Sequence, residues 1–228
     1  MNIGRFLNVL DGLLTLGYAR RSRALLKGKG DYTMVTAGDP CVFLRLQDPV
    51  PKLGKSITYN KKVVNLSDYE VMQVLGNSMS PREINNGDLI FAKPYTADAD
   101  IKEGLLLIIE VDKDYYKEYK HEEVYFEYKL RRSLIRVRRN MNLQDIVDKL
   151  KDIDHEDILL PRNMENLSEK FELARRAYPT EELILSTTYK NGVMKYSLHP
   201  ERLVRFVACY RAAVRYGEIK GYKIFKSA

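Results

Sequence analysis

Ser78 lies in the stretch VLGNSMSPREINNGDLIFAKP, residues 74–94, and its setting invites chemistry. A serine hydroxyl is a poor nucleophile unless a base stands beside it. The chain has three histidines: His121, His155 and His199. His121 lies in a charged stretch, His155 in DIDHED, and His199 precedes Pro200. None has neighbours that suggest a triad, and each reads as a surface histidine. No Gly-x-Ser-x-Gly elbow is present. A lysine replaces histidine as base where burial disfavours the ammonium form. Ser-Lys pairs are one variant of the triad logic. Such a lysine has to come from a rigid element within reach of the serine.

The elements that must do this positioning are mostly strands. The segment 69–75, YEVMQVL, reads as a strand feeding the serine, and DLIFAKP as a second strand stopped by Pro94. The run 104–112, GLLLIIEVD, is nearly all apolar and reads as a buried strand. Residues 122–139 alternate and read as one or two strands, joined to the previous one by a charged, solvated hairpin connection, DKDYYKEYKHEE. CVFLRL at 41–46, DILLPRN at 157–163, EELILSTTY and ERLVRFVACYRAAVR complete the strand set. Amphipathic helices are expected at 142–153 and 166–178. The fold class is therefore α+β, mainly β, with helical insertions.

The N-terminus differs. Phe6, Leu10, Leu13, Leu14 and Leu25 recur at near-helical spacing, and KGKGD ends the pattern. Residues 1–36 hold six Lys/Arg against Asp11 and Asp31. One helix cannot make a helix-turn-helix. The expected organisation is a basic helical arm at 1–36 and one domain at 37–228. The arm is a dimer contact or, less simply, a nucleic-acid contact.

At 45% hydrophobic and 30% charged, the 228 residues suit a soluble domain with a real core. A net charge of +7 permits a nucleic-acid partner without requiring one. No apolar run approaches bilayer-spanning length, so no membrane partner is expected. Cys41 and Cys209 define neither a disulfide framework nor a metal spacing. Free thiols in a reducing cytoplasm are the simplest account. No cofactor or metal is expected.

GNSMSPREINNGDLIFAKP resembles the nucleophile segment of the LexA-like and signal-peptidase superfamily, where Ser-Met-x-Pro is followed by Gly-Asp and an apolar strand. Three further segments resemble that family in the same order. FEYKLRR is similar to the strand of the general-base lysine, DILLPRN to a Leu-Leu-Pro-x-Asn segment, and RLVRFVACYR to the closing strand. The resemblance spans residues 33–211 and implies a LexA-like peptidase β-fold. It implies Ser78 as nucleophile and Lys129 as base. Lys93 and Lys120 are rivals, and a chain with no working base is a further alternative. The backbone amides of Ser78 and Met79 would form an oxyanion pocket. Gly76, Pro81, Gly87 and Asp88 would hold the turn, and Met79 would pack in the core. Strand alternation puts Lys129 on a polar face, so only a covering segment would bury it.

The same resemblance marks a cleavage site. In LexA-like repressors the chain cuts itself between a small residue and glycine, and Ala37-Gly38 in VTAGDP is similar. Folded back, that segment would also cover Lys129. Ala-Gly-Asp-Pro is equally good turn chemistry. The implied function is a self-cleaving Ser-Lys serine peptidase in a stress-response (SOS, DNA-damage) or mobile-element regulatory role. It would be a homodimer paired through the C-terminal strands, with a regulatory protein partner. The alternatives are an inert dimerisation module of a transcriptional regulator, and a signal-peptidase-like protease acting in trans. The family pattern lacks the helices at 142–153 and 166–178, and has arginine where Leu130 follows the lysine.

Overall fold

The structure is a computed structural model. It describes residues 33–37, 53–59, 61–96, 101, 103–121, 126–153, 161–190 and 193–225. The arm helix at 3–27, the strand expected at 41–46, Cys41, His155 and Gly38 lie outside this set.

Strands dominate, as the alternating and apolar runs require. They are β1 (Thr33–Thr36), β2 (Ser56–Tyr59), β3 (Lys62–Asn65), β4 (Glu70–Leu75), β5 (Leu89–Pro94), β6 (Leu106–Glu110), β7 (Tyr128–Val137), β8 (Leu183–Lys190), β9 (Val193–Pro200), β10 (Val204–Arg215) and β11 (Glu218–Ile224). β2 and β3 form a separate hairpin. The others form one sheet in the order β1-β4-β5-β10-β6-β7-β8-β9, with β11 on β10. β1 also pairs with β7, so six strands close into a ring. Each of the six contributes to one buried cluster: Val35, Met72 and Val74, Ile90 and Ala92, Leu106 and Ile108, Leu130, and Ala208. Closure removes exposed sheet edges and gives these side chains a common interior.

The free edge of β7 is divided. β6 pairs along one edge; β1 takes the start of the other at Tyr128 and Lys129, and β8 takes it from Arg132 onward. β8 and β9 carry the sheet outward, and two helices cover them. Helix α2 (Leu143–Lys151) opens with a reciprocal capping box between Asn142 and Asp145. Helix α3 (Pro161–Ala177) lies on β9. Ile146, Leu150, Leu167 and Phe171 meet Leu183, Leu185, Met194 and Tyr196 in a second core.

Several expectations are corrected. Residues 161–163 were expected to end a strand; Pro161 instead begins α3, since proline's fixed φ and missing N–H suit a first helical turn. The stretch after β6 is not a solvated loop. It forms a short helix α1 (Lys113–Tyr115) that runs into a π-turn, Tyr116–Lys120. Tyr115 stacks on Tyr178, which anchors this segment. Thr33–Thr36 is a strand of the main sheet, so the domain begins before residue 37. β9 and β11 were not foreseen. Among the described residues, no helix is long and apolar enough to cross a membrane.

Candidate active site

β4 delivers the chain into the serine turn, and the turn is built from its own polar residues. Gly76 has φ +108°, a conformation that L side chains rarely adopt. Its N–H donates to Asn86 Oδ1 at 3.0 Å, and Asn86 N–H donates to Asn77 Oδ1 at 3.1 Å. Ser80–Arg82 forms a single 3₁₀ turn with Pro81 inside it. Met79 is fully buried in the ring's core and pins the turn from below.

Asp88 and Gly87 hold the far side of the turn, as expected. Gly87 has φ +89° and donates to Val74 O at 2.8 Å. The fully buried Asp88 carboxylate accepts from the N–H groups of Asn85 (2.9 Å) and Val214 (3.2 Å). It also pairs with Arg211 (3.2 Å) and Arg215 (3.1 Å). The closing strand β10 is thereby tied to the loop that positions Ser78.

Ala37 lies at the end of β1, where the parallel β1–β4 register brings Thr36 opposite Leu75. Its N–H donates to Leu75 O at 2.8 Å. Its carbonyl oxygen accepts the Ser78 N–H at 3.0 Å, and the Ser78 hydroxyl also points at that oxygen. The carbonyl implied as scissile is therefore seated on the serine implied as nucleophile, with a backbone donor already on its oxygen. Gly76 leaves the space: a Cβ there would stand 2.8 Å from Ala37 O. The Ser78 carbonyl in turn accepts the Tyr189 N–H at 3.2 Å, which wedges the turn between the ends of β1 and β8.

Lys129 sits on the other side of β1. The β1–β7 register pairs it with Thr36, one residue before Ala37, and Thr36 Oγ1 donates to Tyr128 O at 3.0 Å. Strand alternation alone would leave this lysine solvated, yet it is only 2% exposed. The cover comes from β1 and from two rings. Nζ donates to the Tyr116 hydroxyl, and lies 4.0 Å from the Tyr116 ring centroid and 4.9 Å from that of Phe126. Such placement over aromatic faces attracts a cation. Of the rival lysines, Lys93 is at an exposed strand end, with Nζ 5.1 Å from the Tyr69 ring centroid. Lys120 closes the π-turn.

His199 is not a surface histidine. Its Nε2 is buried without a hydrogen-bond partner. Burial, and then the positive charges of Arg131 and Lys129, hold its pKa well below the ordinary value, so it stays neutral. Cys209 is a half-buried thiol whose pKa burial pushes up, which makes it unreactive. Among the described residues no group of His, Cys, Asp and Glu could hold a metal ion.

Sequence reasoning missed Tyr116, Phe126 and Tyr189. The available signal was the density of tyrosines within a charged stretch, which a solvated loop does not need. Comparison of the chain with protein-family models, curated proteins and solved structures finds no match.

Proposed function

We propose that the chain is a Ser-Lys serine peptidase of the LexA-like type that cuts itself between Ala37 and Gly38. The observation that carries this reading is the seat of the Ala37 carbonyl on the amide and hydroxyl of Ser78. Ser78 Oγ attacks the Ala37 carbonyl carbon while Lys129, neutral, takes the hydroxyl proton. Negative charge develops on Ala37 O, and the Ser78 N–H already faces that oxygen. Lys129 then gives the proton to the nitrogen of Gly38, the C–N bond breaks, and water later releases Ala37 from the serine ester. A site that holds its own bond in place gains the proximity advantage in full.

The test is intact mass over time at mildly alkaline pH, where a lysine base is more often deprotonated. Wild type yields a fragment beginning at Gly38. Ser78→Ala slows this by roughly a thousandfold or more. Equal rates, or a mass that never changes, would sink the reading.

The Tyr116 contact favours a second reading, in which the form described is latent. With the amine bound to a tyrosine hydroxyl and facing two rings, Lys129 is restrained as a cation rather than poised as a base. Tyr116→Phe keeps the ring and its cover but removes the oxygen. Self-cleavage of that variant at neutral pH is expected to exceed wild type by several-fold; a slower variant would instead make the hydroxyl part of the working site. A partner that lifts the π-turn off Lys129 would act as the trigger. The stress-response or mobile-element setting, the homodimer and the nucleic-acid contact of the arm rest on the family resemblance.

A further inference from the structure

Two guanidinium groups lie beside the serine turn with buried nitrogens that bond to nothing. Arg82 ends the 3₁₀ turn that follows Ser78, and its Nη2 is buried without a partner. The Arg132 side chain is 8% exposed; its Nη2 pairs with Glu103, while its Nη1 is buried and unpartnered. The two are close enough for the charge of Arg82, after burial itself, to lower the pKa of Arg132. Thr187, which faces Arg132 across the β7–β8 ladder, is fully buried with its Oγ1 also unpartnered. Two cations thus share one carboxylate, and the N–H donors left over in a dry setting are costly unless an anion takes them.

The position of this cluster says what the anion is. β1 runs parallel to β7, with Thr36 opposite Lys129. Three steps on from Lys129 is Arg132, where β8 takes over the edge. A peptide continuing the direction of β1 past the Ala37 carbonyl is aimed at that junction. The second residue beyond the scissile bond is the one in step with Arg132. In this chain's sequence that residue is Asp39. Paired guanidinium forks suit a carboxylate in particular.

We propose that Arg82 and Arg132 form a carboxylate-binding subsite on the leaving-group side of the Ser78 cleft, which selects peptides with an acidic residue two positions after the scissile bond. The proposal rests on the peptidase reading for its catalytic consequence, though not for the binding itself. The substrate class is an extended peptide of the type apolar-Thr-Ala-Gly-Asp, supplied in cis by this chain.

The experiment uses the full chain in two backgrounds. In the active background, Asp39→Asn and Arg132→Met are each expected to slow self-cleavage roughly tenfold, the worth of one charge-assisted pair. The double variant is expected to be no slower than either. In the Ser78→Ala background, where nothing is cut, Asp39→Asn is expected to lower the melting temperature, and to do nothing once Arg132 is Met. Arg82→Gln replaces Arg132→Met in both cycles should the latter fail to fold. Independent, additive effects in both backgrounds overturn the proposal. So does a melting temperature that inorganic phosphate raises but Asp39→Asn leaves alone, which would mean a free-anion site. Loss of the peptidase reading is separately visible, as cleavage that ignores Ser78→Ala; the coupling in the uncut background still stands or falls by itself.

Discussion

Gly76→Ala is expected to cripple self-cleavage while leaving a folded protein. The methyl group would stand 2.8 Å from the Ala37 carbonyl oxygen, and that oxygen belongs to backbone held by Ser78 and Leu75. Neither partner gives way cheaply, so the carbonyl moves by a good fraction of an ångström. Misplacement on that scale costs roughly 100-fold in rate. The φ of +108° adds strain of roughly 1–2 kcal/mol. Gly87→Ala supplies the control. Gly87 has φ +89°, but nothing lies within 4 Å of the Cβ it would gain. That variant should lose similar stability and keep its cleavage rate. Parallel intact-mass time courses and thermal melts separate the two. Equal cleavage rates for both alanine variants would mean that the close approach of Gly76 to Ala37 is irrelevant.

Asp88→Ala is expected to be the most damaging single change to stability. The carboxylate is fully buried, and its removal strands two backbone N–H groups and the mostly buried Arg211. Breaking a buried pair from one side costs about 3–5 kcal/mol. For a chain of this length that is a fall of about 10 °C or more in melting temperature. Arg215 is 42% exposed, so Arg215→Gln should cost less than about 1 kcal/mol. A melt of Asp88→Ala within 2 °C of wild type would refute this account. The turn around Ser78 should loosen too, because Asn85 and Asn86 both lean on the Asp88 loop.

Much of the framework is legible in the sequence. β4, β5, β6, β8 and β10 follow from apolar or alternating runs, and α2 from its apolar face and Asn142 cap. What is local to 74–94 could be read locally: the glycine turns, the buried Met79, and the structural rather than reactive Asp88. What depends on distant partners could not. The burial of Lys129 comes from β1, Phe126 and a π-turn 13 residues upstream. A lysine's own strand cannot reveal its cover. Pro161 was ambiguous because proline ends strands and begins helices equally well. His199 alternates on a strand whose partners are 15 residues upstream and whose charged neighbours lie on β7. The unpaired nitrogens of Arg82 and Arg132 need two separate turns to be seen together.

β1 deserves a last consequence. It is a wall of the ring, not a loop laid across it, with register pairs to both β4 and β7. On the proposed reading, the cut therefore does not free the N-terminal segment by itself. Residues 33–37 remain held by ladder hydrogen bonds until they peel away. When they do, two strand edges open at once, and open edges invite the next extended chain to pair. The lifetime of the cut product as a monomer is then set by a strand-dissociation rate, and the chemistry at Ser78 only starts that clock.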